Sequence, residues 1–343
     1  MRWLTCTLLV NTLILITKTG AIAQIDPVHR LLTSISIGTR RPDLVLYTRV
    51  PKTGSSSFQR HLDALASKLN YTAFHFSTPP WIYCSSGFTP CRRKDRPFLP
   101  YELDRHRKRI LAMANGTHAV VDFHFAYLRF VANTAPIHIN IVREPISRLI
   151  SHYNYMRFGS ERKSENRRDY IREYGALSIQ ECIDLYFTCQ CVGDCRSEQS
   201  STCTQGRCLD LYSGFNSQMM YFCPVGTAVC ADKNASALVE ALRMLHEYEA
   251  VGITESPQES MRLFEAVLPR YFKGLSELEQ KHVRQSSTKA ELSKQLLDQL
   301  MDLNSLDVQF YEHAVKLLSE RLQAAEASPW RQQLQGLMNP QYR

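Results

Sequence analysis

The residues with the clearest chemistry form one short run, Pro51-Lys52-Thr53-Gly54-Ser55-Ser56-Ser57. Gly54 permits a turn that aims backbone N–H groups at one point. Ser55, Ser56 and Ser57 bring hydroxyl donors and a helix N-cap. Lys52 adds a full positive charge at the same place, so the run reads as a cradle for a phosphate-like anion. The spacing is not that of a Walker A loop. GxxxxGK[ST] puts its lysine after the glycine, just inside the helix, and here Lys52 precedes Gly54. The plainer alternative is a strand–turn–helix junction that carries a surface lysine.

The flanking residues supply the elements that would hold this loop. Val45, Leu46 and Val50 predict a buried strand before it. Phe58, Leu62, Leu65 and Leu69 fall on one face of a helix from about Ser56 to Asn70. Residues 71–100 read as loop, followed by a very basic helix from Pro100 to Asn115 that carries Arg105, His106, Arg107, Lys108 and Arg109. A second strand spans Ala119 to Phe125, a short helix Tyr127 to Ala132, and an alternating third strand Pro136 to Arg143. Pro145 ends that strand and opens a helix to about Phe158. Further on come a helix Ser236–Glu247, a fourth strand Tyr248–Ile253, a helix Pro257–Phe272 interrupted at Pro269, and helices over 289–303 and 305–324. Strands that alternate with helices predict an α/β fold with a central parallel sheet. Ligands of such sheets sit at the carboxyl ends of strands. The Lys52 loop, the segment at His124 and the turn at Arg143 all follow strands, so they can meet in one crevice.

The chain of 343 residues has a net charge of +8, which points to an acidic partner (nucleic acid, anionic membrane or polyanionic glycan) or only to solubility. Arg2 precedes an apolar run from Trp3 to Ile16, with Ala21-Ile22-Ala23 beyond it. A cleaved signal peptide and a short uncleaved signal anchor both fit, and both send the rest into the secretory pathway. Of eleven cysteines, Cys6 lies in the apolar run. The other ten are Cys84, Cys91, Cys182, Cys189, Cys191, Cys195, Cys203, Cys208, Cys223 and Cys230. In an oxidising compartment they predict disulfides, and the pairs Cys84/Cys91 and Cys223/Cys230 look like small closed loops. The run from Cys182 to Cys208 resembles a zinc site less well, for it lacks a C-x₂-C pair. Sequons at Asn70, Asn115 and Asn234 agree with luminal exposure.

Several motifs in order resemble the sulfotransferases, and among them the uronosyl 2-O-sulfotransferases: the heparan sulfate and uronyl enzymes and the Pipe proteins. They are Thr48-Arg49-Val50-Pro51-Lys52-Thr53-Gly54-Ser55; Ile139 to Leu149 with Arg143-Glu144-Pro145; Tyr155-Met156-Arg157-Phe158-Gly159; Val251-Gly252-Ile253-Thr254-Glu255; Ala266 to Gly274; and the late Asn304-x-x-Asp307-x-x-Phe310-Tyr311. The resemblance implies a P-loop-like sulfotransferase fold and a sulfuryl donor, 3′-phosphoadenosine 5′-phosphosulfate, with no metal. It places the 5′-phosphosulfate on Lys52 to Ser57 and the 3′-phosphate on Arg143 and Ser151. A guanidinium suits a phosphate bidentately; read alone, Arg143 better suits a strand-end ion pair with Glu144 or another carboxylate. Arg284, Ser286 and Lys289 would close over the nucleotide. Lys52 would stabilise the leaving group, and His124 would be the base for the acceptor hydroxyl. Arg49, Asp122, Arg157, Lys163 and Arg168 would face the acceptor.

Two departures stand out. Where the heparan enzyme has His-Gly-His, this chain has Asp122-Phe123-His124. Period-two alternation puts Asp122 beside His124, to orient the imidazole or raise its pKa, or simply to be a satisfied strand-end carboxylate. The cysteine-rich insert at 178–230 is also denser. The expected organisation is a signal segment at 1–23, a stem at 24–43, the catalytic domain at 44–327 and a loose tail at 328–343. The expected function is sulfation of the 2-hydroxyl of a uronic acid in heparan, dermatan or chondroitin sulfate. The expected setting is the Golgi lumen, with the enzyme held through its N-terminal segment, a homo-oligomer as one option, and no nucleic acid. Sulfation of glycoprotein glycans, a weak glycan-binding protein and, least, a nucleotide kinase are the alternatives.

Overall fold

The computed structural model describes residues 41–76, 100–114, 116–131, 134–158, 177–190, 208–212, 214–278 and 292–327. Contacts divide the chain into two compact units. The larger is Pro42–Phe130 with Pro136–Arg343. Of the smaller, Met1–Arg41 with Val131–Ala135, the described residues are Arg41, Val131, Thr134 and Ala135. There the Arg41 N–H donates to Ala135 O at 2.9 Å.

The strands are β1 Arg41–Thr48, β2 Thr72–His75, β3 Ala119–Phe123, β4 Pro136–Val142 and β5 Ala250–Ile253. The helices are α1 Ser55–Leu69, α2 Pro100–Met113, α3 Pro145–Phe158, α4 Ile179–Gln190, α5 Leu209–Tyr212, α6 Ala235–Glu247, α7 Pro257–Val267, α8 Pro269–Phe272, α9 Lys294–Leu303 and α10 Ser305–Glu326. The five strands lie in the order β2-β3-β1-β4-β5. β3 pairs parallel with β1 and β2, and β4 with β5.

β1 is the middle strand, and Leu44 to Tyr47 are fully buried. A strand covered on both faces reads as a continuous apolar run, which this one does. Alternate residues feed different cores. Val45 and Tyr47 join Phe58 and Leu62 of α1 and Phe264 of α7. Leu44 and Leu46 join Leu103 and Ile110 of α2 and Val121 of β3. A third core ties Leu149 and Tyr153 of α3 to Ile183 of α4 and Leu300 of α9. The Cys182–Cys208 disulfide sits within it, and Cys223–Cys230 closes the short loop that its spacing predicts.

Two segments differ from expectation. Residues Thr72–His75 form an edge strand, not loop; the four residues have a single large apolar side chain and gain their hydrogen bonds from β3 alone. The described residues Tyr127 to Val131 form no helix. Tyr127 N–H donates to Tyr221 O at 2.8 Å and Val225 N–H to Tyr127 O at 3.0 Å, so a distant segment takes the backbone groups a helix would use. Among the described residues no helix is long and apolar enough to cross a membrane. The N-terminal apolar run lies outside them.

Candidate active site

The loop Arg49–Gly54 leaves the top of β1, between the ends of β3 and β4. Its backbone is unusual twice. Gly54 has φ 82°, and Lys52 has φ 71°. For a lysine the left-handed region costs about 1–2 kcal/mol, a strain that tertiary contacts must hold in place. Three contacts do so. Thr53 Oγ1 donates to Val50 O at 2.9 Å. Arg143 Nη1 donates to Lys52 O at 3.1 Å. The Thr254 hydroxyl lies 3.0 Å from both Thr53 O and Val142 O, donating to one of them.

Beyond the loop, α1 begins without an acidic residue in its first turn. Ser57 N–H bonds to Gly54 O at 3.0 Å, and among the described residues the N–H groups of Gly54, Ser55 and Ser56 have no acceptor. A Cβ built on Gly54 meets nothing within 4 Å. This helix end therefore presents open donors with positive dipole and room in front of them. Lys52 Nζ stands 4.2 Å from the centroid of the Tyr155 ring on α3, and Ser151 lies one helical turn earlier on the same face.

On the β4 side, Arg143 is half-buried. Its backbone N–H donates to Gln218 Oε1 at 3.0 Å, and its C=O accepts from Gln218 Nε2 at 2.8 Å. Glu144 does not pair with it: that carboxylate caps α3, accepting from Ile146 N–H at 2.9 Å and Ser147 N–H at 2.6 Å. The nearest carboxylate among the described residues is Glu255, at 3.8 Å from Arg143 Nε, and Nε itself makes no hydrogen bond there. Arg143 thus makes the loose strand-end ion pair that its position suggests, with Glu255, and its guanidinium beside the open helix donors fits a ligand that carries two separated anionic groups.

On the β3 side, His124 Nδ1 lies 3.0 Å from Arg49 O. The carbonyl can only accept, so Nδ1 carries the proton and Nε2 keeps the lone pair. Burial, and then the nearby Arg49 charge, push the imidazole down to about 4. His124 is thus neutral at physiological pH, with its lone pair on Nε2.

Asp122 neither orients His124 nor raises its pKa. It is fully buried, and its partners are Arg49 (Nε to Oδ1, 2.9 Å), Gln59 (Nε2 to Oδ1, 2.8 Å) and His75 (Nδ1 to Oδ2). His124 lies just past the end of β3 and takes its orientation from the Arg49 carbonyl, so strand alternation no longer governs it. Arg49 is also buried, with Nη2 donating to Phe76 O at 3.0 Å. Two of the five residues expected to face an acceptor, Arg49 and Asp122, are therefore buried instead. No local pattern pointed to His75 or Gln218. The hydrogen bond to Asp122 raises the His75 pKa from 6.5 to about 9, with Asp63 Oδ1 at 2.8 Å from Nε2 assisting. A histidine raised on folding contributes stability that is full below about pH 6.5 and is lost as pH climbs towards 9. The urea midpoint is expected to fall over that window, and His75→Gln to remove most of the slope; an equal slope in the variant would assign it to other groups.

The remaining expected residues are scattered. Ser55 is buried, Ser56, Ser57 and Ser151 are half-buried, and Arg157 lies in the last turn of α3, as Cys189 does in α4. Lys163, Arg168, Arg284, Ser286, Lys289, Cys84, Cys91, Cys191, Cys195, Cys203 and Asn115 lie outside the described residues. Asn70 is exposed at the end of α1, and Asn234 caps α6 through Ala237 N–H at 3.0 Å. Among the described residues no cluster of three or more His, Cys, Asp or Glu is arranged to hold a metal ion.

The chain is similar to heparan sulfate 2-O-sulfotransferase 1 of Mus musculus, 28% identical over 287 residues that cover 80% of this chain and 70% of the relative. The Homo sapiens protein of the same name is 28% identical over 285 residues, with the same coverage. Drosophila melanogaster heparin sulfate O-sulfotransferase is 28% identical over 260 residues, 72% of this chain and 63% of the relative. A sequence model of the sulfotransferase family matches residues 38–314, which take in all five strands, the Lys52 loop, His124 and Arg143. The matched region spans the whole sheet and the loops at the ends of β1, β3 and β4, and the chain belongs to the sulfotransferase family.

Proposed function

We propose that this protein transfers a sulfuryl group from 3′-phosphoadenosine 5′-phosphosulfate to the 2-hydroxyl of a uronic acid in a glycosaminoglycan. The donor supplies an activated sulfuryl group on a phosphate leaving group. One observation carries the reading: the loop Arg49–Gly54 holds the base at one end, through Arg49 O and His124 Nδ1, and the guanidinium at the other, through Lys52 O and Arg143 Nη1. Lys52 and the open N–H groups of α1 meet negative charge where it develops as the phosphate leaves. Arg143, with Ser151, binds the 3′-phosphate. His124 Nε2 takes the proton of the acceptor hydroxyl, which is a poor nucleophile until it loses it.

The exposed face of α2 supports a polyanionic acceptor. Arg105, Lys108 and Arg109 are exposed there beside Tyr101, and among the described residues only Lys108 of the three has an ion partner, Asp104 at 2.9 Å. Replacing all three by alanine is expected to weaken heparan binding at low salt and to change it little at high salt, because screening removes what the charges contribute. A salt dependence identical to wild type, read by calorimetry across ionic strengths, would exclude this face from binding.

Asp122 favours a related acceptor over strict heparan. It stands where the heparan enzyme has a histidine, and it holds Arg49 in the interior instead of at an acceptor. Dermatan, chondroitin or glycoprotein glycans then compete with heparan. The N-terminal run fits retention in the Golgi membrane, and assembly into homo-oligomers is compatible with the fold. The test is a panel of desulfated heparan, chondroitin and dermatan with labelled donor. Transfer to uronic acid of at least one chain is expected; binding of the nucleotide without transfer to any of them overturns the glycosaminoglycan reading.

A further inference from the structure

We infer that Gln218 is a positioning residue for Arg143, fixing through its side-chain amide where the guanidinium stands. The inference rests on the reading of Arg143 as the holder of the donor's 3′-phosphate. Arg143 is the first residue past β4, where the regular strand ends. Gln218 supplies what a neighbouring strand would: Oε1 accepts the Arg143 N–H at 3.0 Å, and Nε2 donates to the Arg143 C=O at 2.8 Å. The two bonds close a ring around one residue and leave it little freedom to turn.

Gln218 is itself fully buried, an expensive place for an amide unless its hydrogen bonds are made. Its backbone is locked from behind. Gln218 N–H donates to Asp307 Oδ2 and Met219 N–H to Asp307 Oδ1, both at 2.8 Å. In return Asn216 Oδ1 accepts from Leu306 N–H at 3.0 Å and Asp307 N–H at 3.1 Å, so this segment and the start of α10 cap each other. Asn216 reaches that geometry with φ 48°. Arg148 Nη2, 3.6 Å from Asp307 Oδ2, balances the buried carboxylate and donates to Gly214 O at 3.0 Å. The Asn304-x-x-Asp307 motif thereby acquires a role at a distance. Helix α10 holds Asp307, Asp307 holds Gln218, and Gln218 holds Arg143. Bidentate binding depends on such alignment, and a small displacement far from the chemistry weakens it sharply.

Gln218→Met tests this, since it keeps length and volume and deletes both hydrogen bonds. Titration of the full chain with 3′-phosphoadenosine 5′-phosphate and with adenosine 5′-phosphate gives the preference for the 3′-phosphate. The variant is expected to bind the first about tenfold more weakly and the second within about twofold of wild type. A merely structural role weakens both alike; that result, or an unchanged preference, overturns the inference. If Gln218→Met does not fold, Gln218→Asn keeps a buried amide one methylene too short to hold both ends of Arg143. It should lose the same preference, and retention would again overturn the inference. Arg143→Lys separates the two claims: should it keep the full preference, the reading of Arg143 itself has failed, whatever Gln218 does.

Discussion

Lys52→Ala is expected to lower kcat by about two to three orders of magnitude while the fold survives, the loss typical of removing one preorganised group from a developing anion. The side chain is half-buried at the lip of the loop, with its ammonium 4.2 Å from the Tyr155 ring centroid, and it contributes nothing to the apolar cores. Alanine inherits the strain of φ 71°, so it neither relieves nor adds to it. Lys52→Gly separates charge from conformation, because glycine accepts that φ freely. Both variants should be slow if the ammonium matters. If single-turnover transfer from labelled donor is as fast in Lys52→Gly as in wild type, the lysine serves only the shape of the loop.

The second large effect belongs to His124. His124→Ala should cost about 10²–10⁴ in kcat, the range for a general base, with nucleotide affinity nearly unchanged. The pH dependence carries more information than the loss. With its pKa pushed down to about 4, the free imidazole is the neutral, proton-accepting form throughout the physiological range. Wild-type kcat/KM should therefore be flat from about pH 6 to 8 and fall only on approach to 4. The protonated form gains as pH drops, so the limb is lost on the acid side. A limb near the ordinary 6.5 would point to a different base. Because the folded pKa lies below the ordinary one, His124 also contributes stability that is lost as pH falls from about 6.5 towards 4, opposite in sign to His75.

Lys52 lies in the loop and His124 meets the start of it through the Arg49 carbonyl, and the surrounding ion pairs hold that loop. Arg49 has its carbonyl on His124 and its guanidinium on Asp122, which is shared with His75 and Gln59. Breaking a fully buried pair by removing one partner typically costs about 3–5 kcal/mol, so removal of the Asp122 carboxylate is expected to act through stability.

The sequence by itself determined the elements and the chemistry they could carry. The buried run Leu44 to Tyr47, the glycine and serines around Lys52, and the breaks at Pro145 and Pro269 are local signals, written in apolar periodicity and in backbone restrictions that single residues impose. The turn at Lys52 between strand and helix was legible for the same reason. Edge strand β2 was not, since four residues paired on one side have too little pattern to stand out. Only the tertiary structure decided that β1 lies between β3 and β4, which brings His124 and Arg143 to the same loop from residues 75 and 91 positions away from their partners. Only it turned Asp122 from an expected companion of His124 into the partner of Arg49 and His75, and it alone joined Gln218 to Arg143. Strand order and buried hydrogen bonds join residues far apart in the chain, and which donor meets which acceptor depends on packing that no local pattern encodes.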